Sequence, residues 1–95
     1  MIRQPTGQHD GNNTEIYVGD LVTLTIPRKI HRDKAVVFEV VERNGEFFLI
    51  FCKKYSGIGE SELQDPTNYK QKLSNQVDII VVGNIKRGID ADLFN

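Results

Sequence analysis

The chain has 95 residues, of which 39% are hydrophobic and 26% charged, with a formal net charge of -1. That is the make-up of one small globular domain, residues 1–95, with a modest core, because a chain this short buries only about two thirds of its unfolded surface. It excludes a disordered chain and a global field that steers the protein to nucleic acid or an anionic membrane, so any such contact is local.

Met1 to Pro5 is polar and lacks the apolar stretch of a signal peptide. No apolar run reaches the eighteen or so residues of a membrane span. The single Cys52 excludes an internal disulfide and suits a reducing compartment. The expected location is the cytoplasm, away from membranes, and the sequon Asn12-Asn13-Thr14 is read as chance.

Residues 1–5 read as a loose arm, and Thr6 to Glu15 as a polar turn rich in Gly, Asn, Asp and Thr. Ile16-Tyr17 supplies an apolar anchor before Gly19-Asp20, where the chain bends into a strand. From Leu21 the period is two, with Val22, Leu24 and Ile26 on one face and Thr23 and Thr25 on the other. This predicts a half-buried strand, ended by Pro27, onto which the downstream sheet is built.

Ala35 to Glu42 is the next predicted strand, and Asn44-Gly45 the strongest short hairpin signal, a type I′ turn. Counting outward from it pairs Arg43 with Glu46, Val41 with Phe48, Val40 with Leu49, Phe38 with Phe51 and Val37 with Cys52. Phe47 to Cys52 is apolar on both faces, which predicts a central strand covered on both sides.

Beyond Lys53 the pattern weakens. Asp65-Pro66 suits a helix start, with Tyr69 and Leu73 on one side of two turns, although a long excursion between strands fits equally. Val77 to Val82 returns to strand, with Val77, Ile79 and Val81 on one face and Ile80 and Val82 on the other. Gly83-Asn84 bends it, Ile85 adds an apolar anchor, and Leu93-Phe94 forms a terminal clip. The predicted fold class is mainly β: a small curved antiparallel or mixed sheet, barrel-like in the manner of SH3 domains, with at most one or two short helical turns.

Thr6-Gly7, Asp10, Glu15-Ile16-Tyr17, Gly19-Asp20 and Val22, followed late in the chain by Val82-Gly83-Asn84-Ile85, resemble the YopX family of small phage and prophage proteins. The family pattern is similar to TGxxDxxGxxIYxGDxV, a variable middle, VIGNI, and a short Pro-Glu-Leu-Leu tail. Three departures stand out. The family's usual N-terminal part, ahead of the Thr-Gly motif, is almost wholly absent. Asn13 replaces a common Gly, a mild change because Asn tolerates a left-handed turn. The tail, Lys86 to Phe94, is longer and has no proline. The resemblance implies a mainly β fold and a phage or mobile-element context, without a biochemical role. The residues that carry it (Thr6, Gly7, Asp10, Ile16, Tyr17, Gly19, Asp20, Val22, Gly83, Asn84 and Ile85) are turn and strand-entry positions, so the implied role is structural.

No catalytic constellation stands out. Cys52 falls in a predicted sheet beside Phe51, where a packing thiol is expected rather than a nucleophile, and His9 and His31 sit in separate polar loops. Asp10, Asn12, Thr14 and Glu15 look like part of a calcium loop, but Glu15 stands where its Gly belongs and Leu21 where its bidentate Glu belongs. Gly57-Ile58-Gly59 lacks the third glycine of a phosphate loop. Asp10, Glu15 and Asp20 are expected to cap backbone at turns rather than do acid–base work. No cofactor, metal or catalytic residue is expected.

The basic connection is the one candidate contact. Arg28, Lys29, Arg32 and Lys34 lie within seven residues with only Asp33 opposing, and Lys53, Lys54, Tyr55, Tyr69, Lys70 and Lys72 offer an extension with two rings. The bland reading is a wet loop tip and charged strand edges. Tyr17 and Phe47 are expected in the core rather than as base-stacking rings. The expected function is a non-enzymatic phage or prophage interaction module binding a protein partner or itself through a sheet edge or the Leu93-Phe94 tail. The alternative is a nucleic-acid-binding accessory protein that uses residues 28–34.

Overall fold

The structure, a computed structural model, describes residues 4–24, 29–57, 70–73 and 79–94. The strands among them are β1 (Pro5–His9), β2 (Glu15–Tyr17), β3 (Asp20–Thr23), β4 (Phe38–Arg43), β5 (Glu46–Phe51), β6 (Lys70–Lys72), β7 (Ile80–Asn84) and β8 (Gly88–Ile89). β1 and β2 form a two-stranded sheet, and the rest form a six-stranded sheet in the order β6-β5-β4-β3-β7-β8, every pairing antiparallel. The fold is mainly β, with three-residue 3-10 turns at Arg32–Lys34 and Ala91–Leu93. Of the expected forms, a curved antiparallel or mixed sheet or a barrel-like one, the structure has open antiparallel sheets without a closed barrel. Among the described residues the large sheet ends on β6 and β8, of three and two residues.

The predicted central strand and the observed one differ. β3 is flanked by β4 and β7, and Leu21, Val22 and Thr23 are all buried, Leu21 in one core cluster and Val22 in the other. A strand between two neighbours, with a cover on each face of the sheet, buries both its rows, and Thr23 is small enough to be enclosed with them. β5 is apolar on both sides, yet only Leu49 in it is fully buried. It lies one strand from the sheet's end, so its outer row, Phe48 and Ile50, is half-covered. Ile26 and Pro27 lie outside the described residues.

The β4–β5 hairpin has the predicted register, with pairs Arg43–Glu46, Val41–Phe48, Val40–Leu49 and Phe38–Phe51. Asn44 and Gly45 both have positive φ, 54° and 81°, as a type I′ turn requires. The Phe38 and Phe51 rings meet edge to face at 6.4 Å. Before Phe38 the ladder gives way to side-chain bonding: the Ser56 hydroxyl accepts from the Val37 amide at 2.9 Å and donates to its carbonyl at 3.2 Å. The Cys52 amide still donates to the Val37 carbonyl, at 2.8 Å.

Two clusters occupy the two faces of the large sheet. The first gathers Ile16, Val22, Phe38, Val40, Leu49, Leu73 and Ile79, with Phe47 packed against it. The β1–β2 hairpin contributes Ile16 to it. β1 corrects the reading of Thr6 onward as pure turn and takes Pro5 out of the predicted loose arm, of which residues 1–3 lie outside the described residues. Its polar residues give no apolar alternation; side-chain bonds hold it instead, among them Thr6 Oγ1 donating to the Ile16 carbonyl at 2.7 Å. The second cluster gathers Leu21, Ala35, Val37, Cys52 and Val82, with Tyr55, Ile80, Ile89, Leu93 and Phe94 packed on it. The terminal clip is therefore real.

Lys70–Lys72 pair with β5, so a helix through Leu73 is overturned; Asp65-Pro66 and Tyr69 lie outside the described residues. Leu73 follows the new ladder, its amide donating to the Phe47 carbonyl at 2.8 Å. Ile79 and Val81 face the first cluster and Ile80 and Val82 the second, as predicted; Val77 is not among the described residues. Ile85 is not a buried anchor. It is 38% exposed and holds its place through its amide, which donates to the Gly19 carbonyl at 2.7 Å.

Candidate functional site

The two halves of the motif meet in the structure. Asp20 and Leu21 pair with Asn84 and Gly83 across β3 and β7, and the Ile85 amide reaches Gly19. Asp10 is 6% exposed, and its carboxylate accepts from the Asn12 amide at 2.9 Å, the Thr14 amide at 2.8 Å and the Val81 amide at 2.9 Å. Asp20 is buried and accepts from the Tyr17 amide at 2.9 Å. Asn84 Oδ1 accepts from the Lys86 and Arg87 amides, closing the turn into β8. Backbone amides thus surround these carboxylates, which is capping geometry rather than acid–base geometry.

Glu15 is half-buried and accepts from the Tyr17 hydroxyl at 3.1 Å. Cys52 is buried in the second cluster, while His9 and His31 are exposed on separate segments. Among the described residues no three His, Cys, Asp or Glu side chains gather as metal ligands.

The basic residues form a surface of a different kind. Arg28 lies outside the described residues. Lys29 and Lys34 are exposed and Arg32 is half-buried, around a 3-10 turn whose exposed acid is Asp33. Segment 53–57 lies directly alongside. The Gly57 amide donates to the Ala35 carbonyl at 2.8 Å, and Gly57 approaches the Asp33 backbone too closely for any Cβ. Together with the Ser56–Val37 bonds, this ties the two basic segments to one another on the second face, and Lys29, Lys34, Lys53 and Lys54 in them are all exposed.

Two aromatic rings in this region each carry a cation. The Lys54 ammonium lies 5.3 Å from the centre of the Tyr55 ring, and the Arg32 guanidinium carbon lies 5.9 Å from that of Phe94. Both rings are half-buried on the second cluster. The Tyr55 ring also lies against Gly88, its Cε1 3.5 Å from where a Cβ on that glycine would stand, so the exposed Arg87 next to Gly88 joins the same neighbourhood.

No family model matches the chain, and neither does any curated protein or solved structure.

The sequence offered the charges and Tyr55 but not their arrangement. The pairing of Arg32 with Phe94 and the approach of Gly88 to Tyr55 join distant segments and have no local signature. The Lys86-Arg87 turn was findable, since Asn84 and Gly88 bracket it with turn chemistry. Lys70 and Lys72 stand on β6 opposite Ile50 and Phe48, apart from segments 29–34 and 53–57 in the strand order, and Tyr69 lies outside the described residues.

Proposed function

We propose that this chain is a non-enzymatic β module that binds nucleic acid through the basic edge of its second face. The observation that carries the reading is the hydrogen-bonded union of segments 32–37 and 52–57, which joins two basic runs: Lys29, Lys34, Lys53 and Lys54 are exposed, and Lys54 and Arg32 lie over the Tyr55 and Phe94 rings. Clustered ammonium groups release counterions when they neutralise phosphates, a local effect that a net charge near zero does not oppose at short range.

A protein partner or self-association is the competing reading, and specific features weigh against its two routes. Leu93 and Phe94 pack on their own domain's second cluster rather than standing free for a second copy. Among the described residues the sheet's edges are strands of three and two residues, the short form that discourages edge-to-edge pairing. Kinship with the YopX family and a phage or prophage setting belong to this proposal and rest on the two sequence motifs alone.

The test is fluorescence anisotropy with labelled DNA and RNA at several salt concentrations, against a variant carrying Lys29→Glu, Lys34→Glu, Lys53→Glu and Lys54→Glu. Binding that weakens as salt rises, and that the variant abolishes, is the expected result. Flat titrations at low salt reject nucleic acid and leave the protein-partner reading; a variant that binds as the parent does rejects this basic edge as the contact surface.

A further inference from the structure

Resting on the reading above, we infer that the nucleic acid is single-stranded, and that Tyr55 and Phe94 are platforms on which its bases stack while Lys54 and Arg32 move to its phosphates. Each ring is held on one side by the domain and has a long, charged side chain over it. A cation over a partly exposed ring is a weak, water-competed contact, weaker than a stacked base. A base that displaces the cation therefore gains the ring, and the released ammonium or guanidinium is already beside the incoming backbone.

The Tyr55 platform is fixed in advance. Its amide bonds to the Cys52 carbonyl at 3.3 Å, the Ser56 hydroxyl next to it is tied to Val37, and its ring lies against Gly88, where no side chain intervenes. A pre-set ring loses little freedom when a base lands on it. A duplex cannot use such platforms, because its bases are stacked inside the helix and only splayed bases present their faces. Exposed Lys53 stands two residues before Tyr55, and exposed Arg87 adjoins the Gly88 that lies against its ring, so both neighbouring segments carry positive charge.

The decisive comparison uses the unaltered protein with three probes of equal length: a thymidine-rich single strand, its duplex, and an abasic strand with the same phosphates and no bases. The expected order is the single strand at least about tenfold tighter than either of the others. Tyr55→Leu is expected to lose about tenfold in single-strand affinity at an unchanged salt slope, whereas Tyr55→Phe, which keeps the ring, stays within about twofold. An abasic strand or a duplex bound as tightly as the single strand overturns the stacking inference and leaves the phosphate-binding reading intact. So does Tyr55→Leu binding like the parent. Failure to bind any of the three probes overturns the phosphate-binding reading itself, and this inference falls with it.

Discussion

The two faces of the large sheet are closed in opposite ways. The first lies under the β1–β2 hairpin, whose polar groups turn inward: the Asp10 carboxylate takes three amides, and the Thr6 hydroxyl fixes the Ile16 carbonyl. The second lies under the irregular segment 53–57 and the 3-10 turn near the C-terminus, whose charged groups stay outside. Inward-directed polar groups make a rigid seal with little left to offer a partner. Outward-directed ones leave a surface with chemistry to use, which is why the candidate site belongs to the second face.

Substitutions can break this contrast in graded steps. Ile79→Ala empties a fully buried position in the first cluster and is expected to cost about 2–5 kcal/mol, read as a lower denaturant midpoint at unchanged slope. Asp10→Ala is expected to cost about 2 kcal/mol, because the Val81 amide loses its acceptor and the hairpin loosens, raising hydrogen exchange across β1 and β2. Its counterpart on the second face, Ser56→Ala, removes bonds to both polar groups of Val37 and is expected to cost about 1 kcal/mol. A loss from Ser56→Ala as large as that from Asp10→Ala would erase the distinction between seal and surface.

Away from both faces, Gly45→Ala forces a Cβ onto a residue at φ 81°, in open space, and is expected to cost about 1 kcal/mol through backbone strain alone. The smallest stability effect belongs to the Lys29, Lys34, Lys53 and Lys54 charge reversals, within about 0.5 kcal/mol each by thermal unfolding, despite their large expected effect on binding.

Legibility in the sequence followed the same division. Asn44-Gly45 carried the hairpin and its whole register, because the turn demands positive φ twice and strands then count by twos. The apolar alternation after Leu21 identified the right organising strand but understated its burial, since alternation cannot report what lies above a sheet. β1 was missed because Thr6, Gln8 and His9 are held by hydrogen bonds rather than by hydrophobic pattern. Of the site, the charges of residues 29–34 and 53–54 were visible; their union through Gly57 and Ser56, and the rings beneath two of them, depend on long-range contacts that no short window contains.

The Asp10–Val81 bond has a consequence in time. Those residues are 71 apart, and at a synthesis rate of about 5–20 residues per second the carboxylate waits roughly 4 to 14 seconds for its last partner. Over that interval the leading hairpin lacks the Ile79 carbonyl that takes the Gly11 amide, and β3 lacks its neighbour β7. The β1–β2, β4–β5 and β7–β8 pairings join strands that are close in the chain, whereas β3 and β7 are far apart in it. Residues 79–85 therefore complete both the cap on the first face and the six-stranded sheet, and they join the first motif to the second.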